Sequence, residues 1–157
     1  MKVRDLMTAD VISLSGSDRL ISAEELMGLR RIRHLPVLDD EGRLEGLVTH
    51  RDLMAACLSS IKSNTEWVSA QILKARVNVD EIMHTRLQTI GPDEDLATAA
   101  QRMHDHKFGC LPVVDADNRV VGILTESDFL RLSMEMIRYL EENDADALAG
   151  LAEHVAR

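Results

Sequence analysis

Two short stretches of this chain combine a hydroxyl with a carboxylate at fixed spacing. Thr49-His50-Arg51-Asp52 follows Gly46, and Thr125-Glu126-Ser127-Asp128 follows Gly122. Thr-x-x-Asp at the start of a helix is close to a capping box. The threonine serves one free N–H and the aspartate reaches back to another. The same arrangement suits an anionic ligand. Free N–H groups at a helix N-terminus attract phosphate, and a hydroxyl adds a hydrogen bond. An ionised carboxylate has two oxygens and can accept from two neighbouring hydroxyls, such as those of a ribose. Gly46 and Gly122 remove a side chain where a flat ligand would approach the strand. Two copies, each preceded by Leu-Pro-Val at 35–37 and 111–113, make the pattern specific.

The surroundings of the two copies differ. Arg33, His34, His50 and Arg51 flank the first, supplying positive charge and donors for phosphate. Gly109, Cys110, Glu126 and Ser127 stand at the same places in the second. Other chemistry fits poorly. His50-Arg51-Asp52 matches a kinase catalytic-loop tripeptide, but a kinase also needs a glycine-rich loop, a downstream Asn and a far longer chain. His104 and His106 are two apart, which puts them on different faces of a helix. With His84 they read as solvent-exposed or capping residues, and no metal is expected. Cys57 and Cys110 read as buried small apolar residues, with Cys110 placed to line the second cleft.

Composition narrows the class. The chain has 157 residues, 45% of them hydrophobic, enough for a folded core. Aromatic residues are 3%, so that core is aliphatic. A net charge of −9 opposes sequence-independent nucleic-acid binding, though a local basic pocket remains open. The longest apolar run, 53–58, is far short of a membrane span. Met1 to Asp5 shows no signal-peptide pattern, and no CxxC points to zinc. The expectation is a cytoplasmic protein with no membrane or nucleic-acid partner.

The elements that hold the motifs come twice. Shifted by 76, residues 3–55 align on 79–131 without a gap, with 13 identities in 53 positions. Average usage would give roughly one in 15 to 20. Each unit opens with a short apolar segment (3–7, 79–83) and an extended stretch (11–14, 87–90). Ser17 or Asp18, and Asp93-Glu94-Asp95, are positioned to cap a helix. Leu20, Ala23 and Met27, like Leu96, Ala99 and Met103, recur at helical spacing. Strands follow at 35–38 and 44–48, and at 111–114 and 120–124, with turns at 39–42 and 115–118. Pro36 and Pro112 fit the first residues or the edge of a strand. Helices then start at Arg51 and Ser127. The order is β-α-β-β-α, twice, an α+β fold. The expected boundaries are 1–60 for the first repeat, 61–76 for a linker helix, 77–135 for the second repeat and 136–157 for a helical tail. Breaks or caps are expected at Ser59-Ser60 and Ser63-Asn64-Thr65, and a charged interruption at 141–146. Each unit is too small to bury a good core alone, so a joint domain is expected.

The chain resembles a stand-alone pair of CBS domains, the module named for cystathionine β-synthase. Leu35-Pro36-Val37 with Gly46, Thr49 and Asp52, and Leu111-Pro112-Val113 with Gly122, Thr125 and Asp128, carry the resemblance, which covers about residues 3–132. It implies a pseudo-twofold disk with two clefts that take AMP, ADP, ATP or S-adenosylmethionine. By the resemblance, Asp52 and Asp128 hold the ribose, and Thr49 and Thr125 lie near ribose and phosphate. Ile32, Arg33 and His34, and Phe108, Gly109 and Cys110, lie against base or phosphate, and Leu47 and Ile123 complete the lining. It also implies a homodimer formed through helices. The function expected is a regulatory sensor of an adenosine ligand acting on a separate, unidentified protein, not an enzyme. The alternatives are a purely structural dimerisation module and a regulatory subunit of an enzyme. From the flanking charges, the Thr49/Asp52 cleft is expected to prefer the more phosphorylated ligand. The Thr125/Asp128 cleft should be weaker for it, or take a less charged adenosine compound.

Overall fold

The computed structural model describes residues 1–59 and 66–155. The breaks expected at Ser60 and at 63–65 lie outside the described residues. In the first half, strand β1 (Leu14–Ser15) leads to helix α1 (Leu20–Arg30), the hairpin β2 (His34–Leu38) and β3 (Leu44–Thr49), and helix α2 (His50–Ser59). Helix α3 (Glu66–Arg76) connects the halves. The second half runs α4 (Leu96–His106), β4 (Cys110–Val114), β5 (Val120–Thr125) and α5 (Glu126–Asn143), followed by α6 (Ala145–Val155). The mixed α+β content and the repeated order match the sequence reading. Helix α5 runs unbroken through residue 135, and the chain breaks at Asp144, inside the charged stretch.

Strand β1 pairs parallel with β2, and β2 pairs antiparallel with β3. In the second half the extended stretch shrinks to one bridge, Ile90 beside Val113. Gly91-Pro92 follows there in place of Ser15-Gly16. Glycine weakens a strand and proline offers no N–H, so the ladder stops. Pro36 and Pro112 sit at the third position of β2 and β4, not at a start, and β2 is the central strand of its sheet. The Pro112 carbonyl accepts from the Ile90 N–H at 3.1 Å. The N–H that proline lacks would point to that same side, where the neighbouring strand is too short to miss it.

The caps also differ from expectation. Arg19 and Asp95 occupy the N-cap positions of α1 and α4, and neither side chain bonds the helix. Asp18 and Glu94 instead accept from the backbone N–H of Ser15 and Gly91, at 2.8 and 2.9 Å, and close the turn before each helix. Asp95 pairs with Lys2 at 2.8 Å. The first helical N–H groups are satisfied by backbone from the opposite half. Leu20 N donates to Val77 O and Leu96 N to Met1 O, both at 3.1 Å.

That exchange extends through the core. Val3 and Leu6 are buried with Ile90, Leu96, Met103, Leu111 and Leu124 of the second half. Val79 is buried with Leu14, Leu20, Met27, Leu35 and Val48 of the first. Each leading segment therefore belongs to the other repeat's core. The hairpin tips meet as well: Leu44 N donates to Asn118 O at 3.0 Å and Val120 N to Gly42 O at 3.2 Å. Each contact recurs with the roles of the halves exchanged.

Candidate functional site

Helices α1 and α4 both end on a residue in the left-handed region, Arg31 at φ 55° and Lys107 at φ 59°. The following N–H returns to the helix, Ile32 N to Met27 O and Phe108 N to Met103 O. This sharp stop aims Arg33 and Gly109 at the start of the next strand. There the carbonyl of Arg33 accepts from His50 N at 2.9 Å, and that of Gly109 from Glu126 N at 3.2 Å. The segment before each hairpin is thus tied to the start of the helix after it.

Both Thr-x-x-Asp motifs form the box. In the first, Asp52 Oδ2 accepts from Thr49 N at 2.8 Å and from Thr49 Oγ1 at 2.7 Å. Asp52 N donates back to Thr49 Oγ1 at 3.3 Å. In the second, Asp128 Oδ2 accepts from Thr125 N at 2.9 Å and Oγ1 at 2.8 Å. The box uses one carboxylate oxygen and leaves Oδ1. Here the halves part. Asp52 Oδ1 lies 2.9 Å from Nε2 of His84, a side chain 62% exposed. Asp128 Oδ1 is paired at 3.1 Å with Arg131, which also reaches Leu6 O.

A cleft of about 1190 Å³ opens in front of Asp52. The first half contributes Arg33, His34, Leu47, Thr49, His50, Arg51 and Asp52. Phe108, Gly109, Cys110 and Glu126 come from the second. Cys110, expected in the second cleft, lines this one. Ile32 packs against the first core instead. Ile123 joins Leu47 and Cys110 in a small apolar cluster. Thr125 and Asp128 are not among the residues lining this cleft.

The glycines have a different reason from the one expected. A Cβ on Gly46 would collide with the Met83 sulfur, and one on Gly122 with that of Met7. Methionines of the exchanged leading segments, not a flat ligand, fill those spaces. Gly109 has its own partner: a Cβ there would lie 2.9 Å from His34 Nε2. Burial holds the His34 imidazole below its ordinary value, with Glu126 opposing and Arg33 adding to the shift. Burial pushes the Cys110 thiol up to about 12, with Glu126 adding to it, so it stays protonated at neutral pH.

Sequence reasoning missed the segment at 83–88. His84 is exposed, as its spacing suggests, but its backbone N and O pair with Leu47 at 2.9 and 3.0 Å, which carries its ring to Asp52. Thr85, Arg86, Leu87 and Gln88 follow along the cleft wall, and Lys107 completes it. The signal was present in the shift of 76, which aligns this segment with 7–12. What it lacked was the exchange that sends 83–88 to the first half.

The CBS domain model matches residues 3–59 and 79–135. A putative acetoin utilization protein from Vibrio cholerae is similar in structure, with TM-score 0.78 and 35% identity over 90% of this chain and 97% of that one. CBSX2 in complex with AMP gives TM-score 0.71 and 29% identity, covering 86% of this chain and 97% of that one. A CBS domain pair in complex with 5′-methylthioadenosine and S-adenosyl-L-methionine gives TM-score 0.71 and 27% identity, covering 87% and 98%. Homoserine O-acetyltransferase of Methanohalobium evestigatum is 32% identical over 133 residues, 85% of this chain but 24% of that protein. The chain thus spans about a quarter of the length of the first curated relatives it matches.

Proposed function

The chain belongs to the CBS domain family, and we propose that it is a regulatory module that binds an adenosine-containing ligand in the Asp52 cleft and acts on a separate partner. One observation carries the reading. The capping box fixes Asp52 through Oδ2 and leaves Oδ1 facing a cleft, covered only by an exposed histidine. A fixed carboxylate at that place accepts from vicinal hydroxyls once His84 moves aside. AMP, ADP and ATP are the ligands proposed, with S-adenosylmethionine a further adenosine compound. Solved relatives in complex with AMP, 5′-methylthioadenosine and S-adenosylmethionine support the class. The cleft takes lining from both halves, so a ligand that fits one packing of the repeats shifts the molecule towards it.

A second reading has its own support. Both Thr–Asp pairs are fully explained as helix caps, and α5 presents Leu130, Met134, Met136, Ile137 and Tyr139 to solvent. On that reading the chain is a structural dimerisation module. Exposed side chains of this kind on one helix also support a homodimer within the regulatory reading. Thermal melting separates the two. A ligand bound only to the folded state stabilises by about 2.7 kcal/mol at a hundredfold excess over Kd. For a domain of this size that is roughly 5–10 °C. Millimolar AMP, ADP or ATP raises the melting temperature on the regulatory reading, and Asp52→Ala abolishes the rise. No shift with any adenosine ligand leaves the structural reading.

A further inference from the structure

Seven basic side chains reach the Asp52 cleft: Arg33, His34, His50, Arg51, His84, Arg86 and Lys107. In a chain of net charge −9, such a concentration is local and needs a cause. Elsewhere about half of the described cations are matched, and the unmatched ones, such as Arg30, Arg31 and Arg119, do not share this cleft. Lys2, Arg4, Arg43, Lys74, Arg102, Arg131 and Arg138 each pair with a carboxylate. Among the described residues, the side chains of Arg33, Arg51, Arg86 and Lys107 have no ion pair and no hydrogen bond, though Asp52 and Glu126 line the same cleft. Unpaired like charges around one concavity repel each other, and a bound polyanion removes that repulsion. Residues at the equivalent positions, 76 away, are Gly109 for Arg33, Ser127 for Arg51, Asp10 for Arg86 and Arg31 for Lys107. Three of the four positive charges are therefore absent at the equivalent positions, one of them replaced by an acid.

We propose that the Asp52 cleft selects a polyphosphorylated nucleotide, through Arg33, Arg51, Arg86 and Lys107, and is the one such site in each chain. The inference rests on the adenosine reading above and narrows it. S-adenosylmethionine carries a sulfonium and an ammonium and no phosphate. It meets the same four cations and is repelled where ATP is attracted. Guanidinium groups present paired donors to phosphate oxygens, and Lys107 adds a point charge. Arg86 and Lys107 come from the second half and Arg33 and Arg51 from the first, so the polyphosphate tail spans the seam between repeats.

Calorimetric titration of the full chain with adenosine, AMP, ADP, ATP and S-adenosylmethionine tests it. Affinity should rise at each added phosphate and reach at least a hundredfold gain from adenosine to ATP, about tenfold for each charge-assisted contact. ATP should bind at one per chain, and S-adenosylmethionine should bind more weakly than adenosine. Arg86→Ala should weaken ATP about tenfold and leave adenosine unchanged, which a fold defect would not do. Added salt should weaken ATP and spare adenosine. Adenosine binding as tightly as ATP, tighter S-adenosylmethionine, or two equivalent ATP sites per chain overturns this inference and leaves the adenosine reading intact. GTP and inorganic triphosphate matching ATP, with adenosine silent, overturns the adenosine reading and leaves the polyanion site standing.

Discussion

Asp52 and Asp128 occupy the same place in the two repeats and have the same box, yet they face different surroundings. The Asp128 side chain is 9% exposed and its second oxygen is held by Arg131. Asp52 is 17% exposed and its second oxygen meets only His84. The position equivalent to Arg131 in the first half is Ala55. A duplicated unit has thus kept its folding device twice and diverged in what surrounds it. Capping needs one carboxylate oxygen and two neighbours in sequence. The proposed ligand site uses the other oxygen and side chains brought from the opposite repeat.

The sharpest way to break this comparison is to remove each aspartate in turn. Asp52→Ala and Asp128→Ala lose equivalent caps, each costing about 1 kcal/mol of stability. Their effect on ATP should be unequal. Asp52→Ala should lose most of the affinity and Asp128→Ala little, as read by calorimetry. Equal losses, or the reverse order, would sink the assignment.

Exposed apolar residues give the next contrast. Near its start α2 buries Leu53 in the core. The later turns of α5 carry Met134, Met136, Ile137 and Tyr139, all exposed. Light scattering is expected to show a homodimer that Met134→Asp with Ile137→Asp converts to monomer. A wild-type monomer at micromolar concentration would count against the dimer.

His34 and Cys110 begin the equivalent strands β2 and β4 and differ in titration. Burial lowers the His34 value below 6.5, so the folded state resists a proton that the unfolded chain accepts. Stability from this site is complete above pH 6.5 and falls as pH drops through the interval between 6.5 and the lowered value. Melting temperature should therefore decline on acidification through that window. His34→Cys, which copies the second repeat, should make the decline shallower, because the Cys110-type thiol does not titrate there. An unchanged slope would show that other groups set the pH dependence.

The smallest effect concerns Arg31 and Lys107, both at positive φ. Replacing either by glycine relieves the left-handed backbone, worth up to about 1 kcal/mol. Arg31→Gly should raise the melting temperature by roughly 2–4 °C with ATP binding unchanged. Lys107→Gly should gain similarly in stability and lose ATP affinity. Equal ATP binding in both would take Lys107 out of the phosphate-binding set.

Much of this molecule is legible in the chain. The shift of 76 exposes the duplication, because a repeated core demands the same apolar residues at the same spacing. Thr49 and Asp52 are three apart, and the box they form is local, so spacing alone reveals it. The charge contrast between Arg33 and Gly109 can also be read from residue types. The exchange of leading segments cannot. Val3 and Val79 sit at the same place in their repeats, and nothing in either segment says whether it packs on its own half or the other. Apolar burial is non-directional and does not by itself choose between them. Backbone pairings such as Thr8 with Ile123 and His84 with Leu47 make the choice, over separations that no local pattern spans. That choice sends Met83 to Gly46 and His84 to Asp52, and with them Arg86 to the wall of the Asp52 cleft.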